Sequence, residues 1–242
     1  LEYYIKNPAL IYDFIDQAFK KSFFKGNKPV YNGEQYIKRG VLHHFMQHLI
    51  KMDAGHVPFR YIGSEIHVEM PYTVRCGDDE ITIKLGGTID RIDSKGDTID
   101  VIDYKTGSGE RIEGNFTLDD VFAHKMKSGQ YRLQAFLYSI VLDEILSGNA
   151  TCKDEFVKCI ASDKTRKISP SLLYVSKGNL SRSESVINLE KVPINDISAI
   201  KDEYMGKLDE LLNEVFDIDK PFVPAADSKK CEYCKYREIC GK

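Results

Sequence analysis

The apolar positions of the chain change periodicity along its first half. Apolar residues recur at helical spacing from about Pro8 to Phe24 and again from Glu34 to Met52, which predicts two amphipathic helices. The pattern then alternates every second residue, which predicts three strands, in RYIGSEIHVEMPYTV, EITIKLGGTIDRID and TIDVIDYK. Turn formers in SKGD join the last two as a hairpin, and Gly86-Gly87 predicts a bend in the middle strand.

The second half of the chain mixes both periodicities. SGQYRLQAFLYSIVLDEIL predicts a strong helix, SLLYVS and SESVINLE predict two strands, and INDISAIKDEYMGKLDELLNEVFD predicts a last helix capped by Asn195 or Asp196. The stretch from Thr106 to about Asp120 and the segment ATCKDEFVKCIASDKTRKIS are polar connections. This order of elements predicts a mixed α/β domain with a partly antiparallel sheet.

Composition narrows the class of protein. The 242 residues include 42% hydrophobic and 29% charged positions, with a net charge of −3, which is typical of a soluble globular protein. No apolar stretch has the length of a membrane helix and no secretory signal opens the chain, so we expect a cytoplasmic protein. The near-neutral charge neither requires nor excludes a nucleic-acid partner. Because the chain begins at Leu1, we expect it to be a piece of a longer polypeptide.

Two aspartates end the strands of the predicted hairpin. A turn centred between residues 96 and 97 places Asp90 directly opposite Asp103. Two adjacent carboxylates repel each other unless a cation lies between them. Carboxylates, together with a backbone carbonyl and water, are the ligands that Mg²⁺ or Mn²⁺ prefers. The hairpin therefore predicts a divalent-metal site.

A lysine accompanies the second aspartate. Lys105 lies two residues after Asp103 and so shares its face of the strand, where it can stabilise developing charge or orient a water. The alternative is a surface hairpin with solvated charges. The apolar neighbours Ile89, Val101 and Ile102 argue against it, because interior charges need partners.

Three motifs together resemble a known family. GTIDRID, VIDYKTG and the helical QAFLYS resemble the RecB/AddB-type branch of the PD-(D/E)XK nuclease superfamily, over about residues 60–242. The resemblance implies a restriction-endonuclease-like α/β core, a mixed central sheet flanked by helices. It also implies roles for single residues: metal ligation by Asp90, Asp103 and the Tyr104 carbonyl, catalysis by Lys105, and DNA contacts by Gln134 and Tyr138. Glu65 resembles the acid on the preceding strand, in a structural, outer-shell or metal-binding role.

Three cysteines lie close together near the C-terminus. CEYCKYREIC spaces Cys231, Cys234 and Cys240 as C-x2-C-x5-C, and on spacing alone a zinc site stays open. RecB-like nucleases with an iron–sulfur staple end in a similar motif, so the resemblance implies a four-iron, four-sulfur cluster with a fourth, upstream cysteine. No cysteine precedes Cys76, and Cys152 and Cys159 lie in a polar connection. We therefore expect an incomplete cluster here and a complete one in a longer parent.

The branch also carries a G-x-x-x-H helix whose histidine completes the metal site. Gly40 and His44 have that spacing in GVLHH. A histidine at a core edge or facing solvent is nevertheless the commoner case. We expect the true motif helix, like the first cluster cysteine, to lie before Leu1.

The resemblance implies a metal-dependent DNA nuclease domain, with exonuclease or endonuclease action left open, from an AddB-like helicase–nuclease or recombination-repair protein. Residues 59–242 would form the nuclease core, which ends in the cysteine tail, and residues 1–58 would form a helical segment packed on it. The partners would be DNA and a helicase portion or subunit of the parent protein. Candidate phosphate contacts are Lys84, Arg91 and Arg132. The alternatives are a DNA-binding or structural module without turnover and a zinc-ribbon-tailed interaction domain.

Overall fold

Three helices come first in the computed structural model. The structure describes residues 1–107, 116–123, 129–151, 157, 166–176, 181–221, 223 and 231–241. The helices are α1 (Glu2–Lys6), α2 (Leu10–Ser22) and α3 (Gly33–His56). Helix α3 begins with a capping box between Asn32 and Gln35, in which each side chain accepts a hydrogen bond from the other residue's backbone N–H. The two predicted helices are confirmed, and α3 runs through most of DAGHVP rather than stopping before it.

A four-stranded sheet follows, in the order β1-β2-β3-β4. Its strands are β1 (Arg60–Cys76), β2 (Asp79–Lys95), β3 (Thr98–Lys105) and β4 (Lys167–Tyr174). Strands β1, β2 and β3 form an antiparallel meander, and β4 pairs with β3 in parallel. The sheet is therefore mixed and flanked by helices, as the predicted restriction-endonuclease-like α/β class requires.

The predicted irregularity in β2 falls at Gly86. Its φ of 152° suits glycine, and a Cβ there would lie 2.0 Å from the carbonyl oxygen of Val68 on β1. No other residue fits so close to the neighbouring strand. Gly86 thus lets the long β1–β2 ribbon stay paired on both sides of this point.

The second half contains α4 (Leu118–Phe122), α5 (Gly129–Leu146) and α6 (Lys201–Phe216). Two predictions are wrong here. SESVINLE is not one continuous strand: its first three residues belong to a 3₁₀ turn (Arg182–Ser185), Val186 bridges to Ser171 on β4, and only Asn188–Leu189 form a strand, β5, which pairs with β6 (Val192–Pro193). The supposed connection ending near Asp120 instead enters α4, which Thr117 and Asp120 cap reciprocally. Asp196, rather than Asn195, caps a 3₁₀ turn (Ile197–Ala199) ahead of α6.

The sheet is covered on both faces. Helix α5 lies on one face, where Val101 and Ile99 of β3 join Phe136 and Ile140 of the helix in the main apolar core. Helix α3 covers part of the other face, where Met52 packs with residues of β3 and β4, namely Ile102 and Leu173. Side chains that alternate along β3 therefore enter different environments.

The contact of Met52 ties the helical N-terminal part to the sheet, while the division at residues 58 and 59 stays a prediction. Within the described ranges, every helix is too short or too polar to span a lipid bilayer.

Candidate active site

Asp90 and Asp103 lie side by side where β2 and β3 separate. The β2–β3 ladder runs from Lys95↔Thr98 to Arg91↔Ile102, and the next position in that register pairs Asp90 with Asp103. The backbone N–H of Tyr104 donates to Asp90 Oδ2 at 2.7 Å. This ladder confirms the predicted hairpin register. The tight turn at Gly96, with a φ of 60°, fixes that register.

Asp103 is the more buried of the two acids, at 5% exposure. Burial raises the pKa of its carboxyl, the ammonium of Lys105 opposes that shift, and the nearby charge of Asp90 adds to it. Lys105 Nζ lies 2.5 Å from Asp103 Oδ2. No described group donates a well-directed hydrogen bond to that oxygen. The carboxylate therefore has capacity for another cation.

The backbone of Tyr104 adds a third oxygen. The neighbouring Lys105 carbonyl accepts from Val175 N–H at 3.0 Å, on the β4 side. Since backbone groups of successive strand residues point to opposite edges, the Tyr104 carbonyl points toward Asp90 on the β2 side. Two carboxylates and this carbonyl suit Mg²⁺ or Mn²⁺. In the described ranges no three His, Cys, Asp or Glu side chains gather as a metal site, so the fit depends on these oxygens and water.

Glu65 lies on β1 across from Asp90. Its neighbours pair as Ser64↔Arg91 and Ile66↔Ile89, and Glu65 itself is exposed with a φ of 54°. A glutamate in the left-handed region is uncommon and marks a local distortion of β1. The register places Glu65 opposite Asp90, with β2 between it and Asp103, and its role stays a prediction.

Helix α5 supplies the other contacts of Lys105. Gln134 Oε1 lies 3.4 Å from Lys105 Nζ, and the Tyr131 ring centroid lies 4.3 Å from it. Gln134 Nε2 donates to the Tyr138 hydroxyl at 2.9 Å. Gln134 of the QAFLYS motif therefore contacts Lys105 of the DYK motif, and Tyr138 contacts Gln134.

A buried charge network that the sequence did not predict lies on the opposite face of the sheet. Arg91 donates to Asp53 at 2.8 Å and to Asp93 at 2.9 Å. Arg182 donates to the same Asp93 at 2.8 Å and to Asp53 at 3.3 Å. Asp93 has 0% exposure, so its charge depends wholly on these arginines. Burial works against the charge of Arg91, but its hydrogen bonds to Asp93 and Asp53 raise its pKa overall.

Two of the three predicted phosphate contacts are therefore wrong. Arg91 is committed to the buried network, and Arg132 is 2% exposed, with its guanidinium 4.3 Å from the centre of the Phe116 ring. Neither reaches the surface that a phosphate backbone would follow. Lys84 is exposed and pairs with Glu69 at 2.7 Å, so its phosphate contact stays a prediction.

A cleft of about 880 Å³ also opens on the face of Arg182. Lys51, Asp100 and Lys167 are among its lining residues, whereas Asp90, Asp103 and Lys105 are not. The two acids therefore lie outside this cleft, where the β2–β3 ladder ends.

The tail cysteines differ in burial: Cys231 is buried, while Cys234 and Cys240 are exposed. Cys76 ends β1 as predicted, and Cys152 and Cys159 lie outside the described residues.

His44 lies on α3 beside His48, with ring centroids 4.1 Å apart. In the described contacts nothing joins His44 to Asp90 or Asp103.

Comparison with known proteins identifies the family of the chain. The family model of the PD-(D/E)XK nuclease superfamily matches residues 3–241, a range that includes α1 to α3 as well as the sheet. A search of curated proteins finds no significant match. With the match covering nearly the whole chain, the protein belongs to the PD-(D/E)XK nuclease superfamily.

Proposed function

We propose that the protein is a metal-dependent deoxyribonuclease that hydrolyses DNA phosphodiester bonds. The observation that carries the proposal is the meeting of Asp90, Asp103 and Lys105 at one fork of the sheet. Membership of the superfamily supports nuclease chemistry of this general kind.

Asp90, Asp103 and the Tyr104 carbonyl would hold the metal ion. When bound there, Mg²⁺ supplies a water of lowered pKa and neutralises charge on the scissile phosphate. The buried Asp103 carboxylate favours such a cation, because its own burial disfavours an uncompensated charge. Asp90 is held by the Tyr104 N–H, which leaves its second oxygen available.

Lys105 would act on the water or the phosphate and not on the metal. A protonated amine is a poor metal ligand but a good donor to an anionic oxygen. The contacts with Asp103 on one side and Gln134 on the other hold the Lys105 ammonium next to the proposed metal ligands.

The finer assignment is to an AddB-like exonuclease that works with a helicase portion or subunit in recombination and repair. Its support is the resemblance of GTIDRID, VIDYKTG and QAFLYS to that branch. Gln134 and Tyr138 would contact DNA in this assignment, which is supported by the contact of Gln134 with Lys105 and of Tyr138 with Gln134.

A cleavage assay tests the proposal. Single-stranded and double-stranded DNA, each labelled at one end, would be incubated with the protein and Mg²⁺, Mn²⁺ or EDTA. Cleavage that needs the metal and is lost in Asp103→Asn supports a nuclease. DNA binding without cleavage under every metal condition would favour the alternative, a module that keeps the fold without turnover.

For the tail, we propose an iron–sulfur ligand set of Cys231, Cys234 and Cys240. The C-x2-C-x5-C spacing supports this proposal, and the three thiolates would bind iron atoms of the cluster. After anaerobic purification, iron, sulfide and zinc analysis should find less iron and sulfide than a complete cluster needs in this chain, and a full complement in the longer parent. Zinc without sulfide would support a zinc site instead.

A further inference from the structure

One face of α5 is turned toward Lys105. Tyr131, Gln134 and Tyr138 are spaced by three and four residues, so their side chains lie along one stripe of the helix. The first two contact the ammonium of Lys105, and the third contacts Gln134. Lys105 therefore has two neutral neighbours on the side away from Asp103.

The amide of Gln134 has one favourable orientation in this arrangement. Its Nε2 donates to the Tyr138 hydroxyl at 2.9 Å, which turns Oε1 toward Lys105 Nζ at 3.4 Å. The reverse orientation would place the amide NH₂ against an ammonium, where neither group can accept a hydrogen bond. The ammonium of Lys105 therefore selects this orientation, and the Tyr138 hydroxyl supports it by accepting from Nε2.

Gly87 makes room for that hydroxyl. A Cβ on Gly87 would lie 2.3 Å from the Tyr138 hydroxyl oxygen and 2.6 Å from two carbons of its ring. A real Cβ does not approach so closely, so any larger residue displaces the ring. Gly87 lies three positions before Asp90 on β2. The strand that carries the first acid therefore also provides the space for the Tyr138 ring.

We propose that Gly87, Tyr138 and Gln134 are positioning residues that hold the Lys105 ammonium in place while Asp103 is engaged by a metal ion. Apart from α5, the strong partner of Lys105 is Asp103. A cation on Asp103 competes for that carboxylate, and a long lysine side chain then gains freedom. The neutral contacts to Gln134 and Tyr131 are unaffected by that competition. This inference rests on the proposed nuclease activity and on the role given there to Lys105.

The test is a double-mutant cycle on single-turnover cleavage of a labelled oligonucleotide with Mn²⁺. Tyr138→Phe removes only the hydroxyl and Gln134→Met only the amide. Each should lower the cleavage rate about 10-fold to 100-fold, the range in which misplaced groups act, with the KM for DNA within about twofold. In a Lys105→Ala background, measured over long times at excess enzyme, neither should lower the rate further.

Two matched controls make the same chemical changes away from Lys105. Gln130→Met makes the same change at an exposed position on α5, and Tyr72→Phe removes a hydroxyl that donates to Asp209 on α6 at 3.2 Å. Both should cleave at the unmodified rate. Gly87→Ala should reproduce Tyr138→Phe, and if it fails to fold, the two α5 variants still decide the matter.

Three outcomes would overturn the inference. A raised KM with an unchanged rate in Tyr138→Phe would make it a DNA contact only. Additive losses with Lys105→Ala would place its effect elsewhere. An unchanged rate in Lys105→Ala alone would refute the role of that lysine in the proposed function, and the positioning role with it.

Discussion

Tyr104 donates its backbone N–H to Asp90 Oδ2 at 2.7 Å, which ties one acid to the strand that carries the other. The separation of Asp90 and Asp103 is therefore set by the hairpin backbone and not by free side-chain rotation. Replacing either acid should change the chemistry of the site and leave the register of the strands intact.

Asp90→Asn and Asp103→Asn should each lower Mg²⁺-dependent cleavage by a factor on the order of 100 or more, because one carboxylate binds the cation poorly. Circular dichroism should stay unchanged. Asp79→Asn, at the exposed far end of β2, is the matched control and should cleave normally. Cleavage at the unmodified rate in either site variant would contradict the metal assignment.

Lys105→Met should keep metal binding and lose cleavage rate. Its ammonium competes for Asp103 Oδ2, so its removal should leave Mn²⁺ affinity equal or slightly higher. Calorimetric titration with Mn²⁺ measures the affinity, and Lys38→Met, at an exposed position on α3, is the control. A loss of Mn²⁺ binding that parallels the loss of rate would contradict this division of roles.

Asp103 should make metal-free stability depend on pH. Burial raises the pKa of its carboxyl in the fold, so the folded state holds this proton more tightly than the unfolded chain does. Stability should therefore fall as pH rises from the unfolded value of about 4 through the raised folded value.

Urea unfolding in EDTA over a pH series, for the unmodified protein and Asp103→Asn, isolates this effect. The difference in unfolding free energy should grow with pH in favour of the variant and then level off. Parallel curves would show that Asp103 ionises as easily in the fold as in the unfolded chain.

Arg182→Met should destabilise the protein by about 3–5 kcal/mol, because it leaves buried carboxylates short of positive charge. Asp93 and Asp53 would then share Arg91 alone within the described network. Lys84→Met removes an exposed pair with Glu69 and should cost less than about 1 kcal/mol. Thermal and urea unfolding measure both. Similar costs for the two variants would mean that the network adds no more than a surface pair.

The sequence predicted those parts of the fold whose signals are local. The hairpin register followed from a short turn at Gly96 and the alternation around it, so the pairing of Asp90 with Asp103 could be predicted from the order of the residues alone. The Gly86-Gly87 pair predicted a bend in the strand. The sequence did not predict that the absence of a side chain at Gly87 makes room for Tyr138.

The errors concern contacts between distant segments. Arg91 directly follows the site residue Asp90 and was predicted to contact phosphate. Because side chains alternate along a strand, Arg91 lies on the opposite face of the sheet, where it pairs with Asp93. Arg182, which is distant in sequence, pairs with the same aspartate. SESVINLE alternates like a strand, yet its first residues join the preceding Arg182 in a 3₁₀ turn in which Arg182 and Ser185 are buried. Sequence periodicity reports which side chains are buried and not which partners they meet.

The mixed pairing of β3 has a consequence for the order of folding. Its antiparallel partner β2 is reached through a tight turn, whereas its parallel partner β4 follows a long crossover that includes α4 and α5. Contacts between distant segments form more slowly than local ones. We therefore expect the nascent chain to bring Asp90, Asp103 and Lys105 together early, before the crossover delivers Tyr131 and Gln134 of α5 to the lysine.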